Sequence, residues 1–240
     1  MQKRVAFSVS GQPGSGSTTA GKILAKTLGL GDPFYSGGTA RCLAQKRDEV
    51  GEKEIVQMYR DGKGEGRKRL RAMIASMMTT GSVPPRPNIA TEYATFPPEF
   101  DFIIDEVQEE LLEHGASAIH EGRMVPHLAK KIQDAGRAPG KLFVKIFCVA
   151  DETERTRRLK TRAEYKDTPP EQIKRETQER LATEKKRYRE LYGIEDHVDL
   201  SHFDIVVDTT RLLPEEVLRE MLQKIEELHL GLLAQFIAEK

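Results

Sequence analysis

The sequence has no tryptophan, only two cysteines, no excess of either charge and no long apolar run, and each absence excludes something. Lys and Arg number 38 against 38 Asp and Glu, a formal net charge of zero, which argues against a protein that coats polyanions with a uniformly basic surface. Nucleic acid is therefore not an expected partner. Cys42 and Cys148 are too few for a disulfide framework or a structural zinc site, and are expected as small buried apolar residues. No stretch approaches the roughly 18–20 apolar residues that span a bilayer, and Met1 leads straight into a strand-like segment. A soluble cytoplasmic protein without a membrane partner is expected.

What is present is an alternation. Short β-rich runs at 5–9, 33–36, 116–120, 142–149 and 203–207 are separated by helical patterns at 18–27, 38–47, 101–114, 124–134, 151–162, 170–192 and from 214 towards 239. Such a rhythm predicts an α/β fold, with five strands in a mostly parallel sheet flanked by helices. Two segments depart from it. Residues 61–98 turn Gly-rich and basic, helical over 68–78, then Pro-rich, and read as an insertion. Residues 163–170 form a polar link between a basic helix and a long charged one, whose entry at Pro169-Pro170 suits the unpaired first-turn N–H groups. Leu218, Met221, Leu222, Ile225 and Leu228 recur at helical spacing as a core-facing stripe, and the apolar tail 230–237 is left to cap the domain or meet a partner subunit.

The segment Gly11-Gln-Pro-Gly-Ser-Gly-Ser-Thr-Thr19 lies between a predicted strand and a predicted helix, where a phosphate-cradling loop belongs. Gly11, Gly14 and Gly16 let the chain wrap with its N–H groups inward, and the helix N-terminus adds partial positive charge. Thr18 is placed to put a hydroxyl on a phosphate-bound Mg²⁺. The spacing matches G-x-x-x-x-G-K-[ST] except at the lysine, which is Ser17 here. That lysine normally supplies the loop's one full positive charge, and loss of a comparable donor elsewhere costs about 10²–10³ in rate. Lys22, one turn beyond Thr18, is a substitute to consider, or an ordinary solvated position.

On these residues the chain resembles the cytidylate kinase family of nucleoside monophosphate kinases, particularly its compact archaeal-type branch, through most of its length outside 61–98. Residues 10–19 look like that family's phosphate loop with lysine changed to serine, so Gly11, Gly14, Ser15, Gly16, Ser17, Thr18 and Thr19 are implied as the ATP-binding set. Tyr35-Ser-Gly-Gly-Thr-Ala-Arg41 is similar to the segment whose arginine holds the acceptor phosphate. Glu121-Gly122-Arg123 resembles the acidic-Gly-Arg motif, which implies Glu121 with Thr18 at Mg²⁺ and Arg123 on the acceptor. Many bacterial relatives carry an aspartate next; Met124 stands there, which leaves the acceptor base open.

Arg155, Arg158 and Arg162 are spaced to share one helical face. The resemblance implies a lid over 155–175, with Arg158 and Arg162 closing on the transferring phosphoryl group. Arg180, Glu184 and Arg187 repeat the family's R-x-x-x-[DE]-x-x-R spacing, in which the acid orients both guanidiniums. The implied fold is a single P-loop kinase domain over 1–240, with an acceptor-side insertion and a helical lid. The implied reaction is phosphoryl transfer from ATP, with Mg²⁺, to a nucleoside monophosphate, CMP or dCMP foremost, by Arg123, Arg158, Arg162 and Arg187. Two other readings stay open: a nucleotide-binding regulatory module that has lost turnover with the lysine, and a P-loop kinase for another small metabolite.

Lesser features are read more plainly. Residues 60–71 hold six basic and two acidic side chains and are expected as a solvated helix or flap. The six histidines show no metal spacing, and His197 and His202 are expected at the surface. Phe96, Phe100 and Phe102 are expected in packing. A monomer or a weak homodimer through the C-terminal helix is expected.

Overall fold

The structure, a computed structural model, describes residues 4–61, 64–79, 95–229 and 231–237. They form two compact units: one from the segments up to Pro33 and from Gly115 onward, the other spanning Phe34–His114.

In the first unit, β1 (Arg4–Gly11) runs into α1 (Ser17–Leu28). Val5, Phe7 and Val9 alternate along β1 onto one face and are fully buried, as a period of two requires. Against them pack Ala20, Leu24 and Leu28 of α1. The sheet has five strands. In this unit β3 (Ala118–Glu121), β1, β4 (Lys141–Val149) and β5 (Ile205–Asp208) lie in the order β3-β1-β4-β5, and every pairing is parallel. The register aligns Val9 with Glu121, Gly11 with Cys148 and Val149 with Asp208. The carboxyl ends of the strands therefore finish together, at the edge where parallel α/β sheets bind ligands. Between β3 and β4 runs α6 (Val125–Asp134), packed on β1 and β4. Both cysteines are buried.

Two α-helices lie between β4 and β5. The carboxylate of Asp151 accepts from the Glu154 N–H at 2.6 Å and starts α7 (Glu152–Lys160). The helix stops earlier than the arginine spacing predicts. The Thr161 hydroxyl donates to the Arg158 carbonyl at 2.8 Å, and Arg162 beyond it is extended. Arg155 and Arg158 thus share a helix and Arg162 does not, which corrects the expectation of three arginines on one face. Next, α8 (Pro170–Tyr192) begins at the expected proline and ends on Gly193, at φ 68°.

The C-terminal helix also breaks. After α9 (Pro214–Leu228), Glu226 accepts from the Gly231 N–H at 2.6 Å, and α10 (Ala234–Ile237) follows. Val217, Met221 and Ile225 form the buried stripe, while Leu228 is 46% exposed. Leu232, Leu233 and Phe236 close over the same core, with Phe236 6.1 Å from Phe7 ring to ring. The described part of the apolar tail covers its own sheet.

The second unit opens with β2 (Phe34–Tyr35) and is otherwise helical: α2 (Ser36–Val50), α3 (Glu52–Arg60), α4 (Glu65–Thr79) and α5 (Pro98–His114). Leu43, Ile55, Leu70, Ile74, Phe100 and Ile103 form its core. Phe96 packs edge-on against Phe100 at 4.8 Å and Phe102 stacks on Tyr59. The described parts of residues 61–98 belong to this larger body, and the Pro84–Pro87 stretch lies outside the described residues. Three arginines of the basic run are paired: Arg60 donates twice to Glu99, and Arg67 and Arg71 pair with Glu106.

Candidate active site

The turn between β1 and α1 is built from contacts that only glycine permits. Gly14 has φ +83°, and a Cβ there would lie 2.6 Å from the Arg155 carbonyl, so α7 approaches the loop backbone directly. Gly16 has φ +86° and is the N-cap of α1. The Ser15 N–H closes the turn onto the Gln12 carbonyl at 3.0 Å. Ser15 therefore enters the loop by its backbone, with its hydroxyl turned towards Gly11.

Two hydroxyls of the first helical turn meet one acid. Thr18 Oγ1 donates to Glu121 Oε1 at 2.7 Å, and Ser17 Oγ lies 3.2 Å from the same oxygen. The Ser10 hydroxyl donates to the Gly122 carbonyl at 2.5 Å and fixes the turn after β3. Burial raises the pKa of Glu121, and the Thr18 and Ser17 hydrogen bonds, with Arg123 and Arg162 nearby, oppose this. A hydroxyl and a carboxylate converging beside a phosphate loop are the hard oxygen donors that Mg²⁺ takes together with substrate phosphates and waters. Thr18 and Glu121 fit that ion. Among the described residues no group of three or more His, Cys, Asp or Glu side chains is arranged to hold a metal by itself.

The position of the missing lysine is occupied by a buried hydroxyl, and Lys22 is exposed on α1. The cation against the loop is Arg158. Its Nη1 lies 3.4 Å from the Gly14 carbonyl and 3.5 Å from the point a Gly16 Cβ would occupy. Glu154 accepts from Arg158 Nε at 2.7 Å. Nη1 and Nη2 donate to Thr209 Oγ1 and to the Thr209 carbonyl. The Thr209 hydroxyl in turn donates to the Ser15 carbonyl at 2.7 Å, with the Val149 carbonyl at 3.1 Å. Arg158 is thus anchored against the loop by its own hydrogen bonds. Thr209, to which the sequence lent no role, joins the end of β5 to the loop and to α7. Beside it is a cavity of about 500 Å³, lined by Gly16, Thr19, Arg157, Arg158, Thr209 and Leu213 among others. Arg162 is half exposed and 3.9 Å from Glu164, and its charge is felt at Glu121.

A second arginine cluster forms between the turn after β3 and α8. Glu184, with its side chain 13% exposed, lies 2.8 Å from Arg123 Nε through Oε2 and accepts from Arg180 Nε at 2.9 Å through Oε1. One carboxylate therefore orients two guanidiniums. The expected pairing of Glu184 with Arg180 is present, and Glu184 also pairs with Arg123. Arg187 is half-buried on the same helix. Arg41 belongs to α2 in the other unit and is half-buried there. Met124, after Arg123, is buried.

A parallel sheet, a phosphate loop at its carboxyl edge, an acid beside that loop and arginines fixed by carboxylates define a phosphate-loop phosphotransferase. The cytidylate kinase-like family matches residues 7–211. The chain belongs to that family, and it is a nucleoside monophosphate kinase. It is 29% identical over 212 residues to a cytidylate kinase of Methanopyrus kandleri, covering 88% of each chain. It is also 29% identical over 222 residues to one of Pyrobaculum neutrophilum, covering 92% of each. A crystal structure of an uncharacterized protein from Eubacterium ventriosum has the same fold, with a TM-score of 0.54 at 13% identity over 93% of this chain and 99% of the other. No helix among the described residues is long and apolar enough to cross a membrane.

Proposed function

We propose that the chain transfers the γ-phosphoryl group of ATP to CMP or dCMP, giving the nucleoside diphosphate and ADP. The observation that carries this is the shared Glu121 oxygen, which collects the Thr18 and Ser17 hydroxyls at the mouth of the phosphate loop. The names of the archaeal relatives favour cytidylate as acceptor.

The backbone and hydroxyls of Gly11, Gly14, Ser15, Gly16, Ser17, Thr18 and Thr19 hold the triphosphate, and the adenine lies in the cavity beside Thr209 and Leu213. Thr18 and Glu121, directly or through waters, would hold Mg²⁺, which would supply charge neutralisation to the phosphates when bound. Arg41, Arg123 and Arg187 hold the acceptor phosphate in line, with Arg180 and Glu184 setting Arg123. Arg158 supplies positive charge to the loop in place of the lysine, and Arg162, on a lid over 155–175, completes it on closure. Closure excludes water, so ATP is not simply hydrolysed. Positioning and charge neutralisation provide the rate, and no covalent enzyme intermediate forms.

The test is ADP release measured across CMP, dCMP, UMP, AMP and GMP at saturating MgATP. Turnover highest with CMP or dCMP is expected. Measurable ATP binding with no turnover on any nucleoside monophosphate would overturn the reading.

A further inference from the structure

Behind Glu184 lies a buried histidine that the scheme above does not use. His197 sits in the loop between α8 and β5, where its side chain is wholly buried rather than at the surface as the sequence suggests. Neither ring nitrogen has a hydrogen-bond partner among the described residues. Its Nε2 is 3.8 Å from Glu184 Oε2, the same oxygen that Arg123 Nε approaches at 2.8 Å. The ring is held from several sides. Tyr188 of α8 packs against it at 4.8 Å, edge to face. His127 of α6 hydrogen-bonds the His197 backbone, and the adjacent Asp196 is tied to Lys185 at 2.6 Å. Burial pushes the His197 pKa down to about 4, with Arg123 and His127 acting the same way and Glu184 and Asp196 opposing. Near neutral pH the ring is uncharged, with one N–H to give.

A buried imidazole without a partner is unfavourable, and such a group calls for an explanation. Its surroundings offer one. When Arg123 turns to the acceptor phosphate, Glu184 Oε2 loses its ion-pair partner while staying buried, and a buried carboxylate stripped of one of its charge partners is strongly unfavourable. His197 Nε2 needs to close by about 1 Å to reach hydrogen-bond distance. A neutral donor suits the position, because a third cation would compete with Arg123 and Arg180 for the acid in the resting state.

We propose that His197 is a positioning residue: it donates Nε2–H to Glu184 when Arg123 leaves for the acceptor phosphate, and so keeps Glu184 fixed behind Arg180. This rests on the assignment of Arg123 to that phosphate.

The test follows the imidazole nitrogens of the full chain by ¹⁵N NMR during titration with CMP, alongside calorimetric binding. CMP is expected to shift the His197 Nε2–H signal to a hydrogen-bonded position. In kinetics, His197→Phe is expected to raise the KM for CMP about tenfold, or ~1.4 kcal/mol, with the KM for ATP unchanged. His197→Gln, whose amide can place an N–H near the Nε2 position, is expected to recover most of the loss. Normal CMP binding with an unmoved His197 signal would overturn the proposal alone, as would Phe and Gln variants with equal KM. Absence of CMP binding to the unaltered protein would sink the acceptor assignment and this proposal with it. Should the Phe variant fail to fold, the NMR titration and the Gln variant still decide.

Discussion

Arg158 holds Thr209 at two atoms, donating from Nη1 to the threonine hydroxyl at 2.9 Å and from Nη2 to its carbonyl at 2.5 Å. Since that hydroxyl also donates to the Ser15 carbonyl, α7, the end of β5 and the phosphate loop are tied at one buried point. Thr209→Val keeps the shape and removes the hydroxyl, leaving the Ser15 carbonyl and one arginine N–H without it. The expected result is a KM for ATP raised about tenfold, roughly the worth of one hydrogen bond involving a charged group, with the KM for CMP unchanged. Thr209→Ser should behave as the unaltered protein. Initial-rate kinetics with each substrate varied in turn distinguish the two.

Restoring the usual lysine is not expected to help. Ser17 is 8% exposed, its hydroxyl faces Glu121, and Arg158 already places a guanidinium against the loop. In Ser17→Lys the new ammonium would pair with Glu121, which Thr18 uses. The turnover number at saturating MgATP and CMP should be no higher than in the unaltered protein. A large rise would show that the natural loop is short of a cation.

Glu184 orders two arginines with two oxygens, so removing its charge should be felt at the acceptor. For Glu184→Gln, kcat/KM for CMP is expected to fall about 10²-fold, the scale on which misplaced positioning groups cost rate. The KM for ATP should stay within about twofold, since the Glu184 carboxylate acts on Arg123 and Arg180, on the acceptor side. Equal losses for both substrates would mean that Glu184 supports the fold as a whole.

Burial raises the Glu121 pKa, which sets a pH dependence of stability. A carboxyl whose folded pKa lies above its unfolded one is unfavourable to folding when ionised. The unfavourable contribution appears as pH rises through the unfolded value, near 4.5, towards the folded one, and is complete above it. Glu121→Gln should therefore melt higher than the unaltered protein at pH 7.5 in the absence of nucleotide, with the gap closing at pH 4. The same variant should lose phosphoryl transfer, because the neutral amide holds Mg²⁺ poorly. Thermal melts at the two pH values check the sign.

Much of the architecture is legible in the chain because it rests on local rules. Val5, Phe7 and Val9 alternate as a strand must, Pro170 opens the long helix and Gly193 closes it. Other features follow rules that the local pattern obscures. α3 spans only nine residues and opens on three charged side chains, so its short apolar face around the fully buried Ile55 is lost among charged neighbours. The arginine spacing extends α7 to Arg162, but the Thr161 hydroxyl takes the Arg158 carbonyl and ends it. His197 looks like a surface residue next to Asp196 and becomes a core one, because α8 and α6 close over the loop that carries it.

The sequence by itself determined the phosphate loop, the acid-Gly-Arg motif and the absence of the lysine, since glycine conformation, helix start and motif spacing are all local. Only the tertiary structure decided who holds whom. Glu184 takes Arg123 as well as its helical neighbour Arg180, Arg158 is drawn down onto the loop, and Thr209 reaches Ser15 from 194 residues away. These partnerships depend on how helices pack on the sheet's carboxyl edge, and no spacing along the chain encodes the distance between two side chains that only packing brings together.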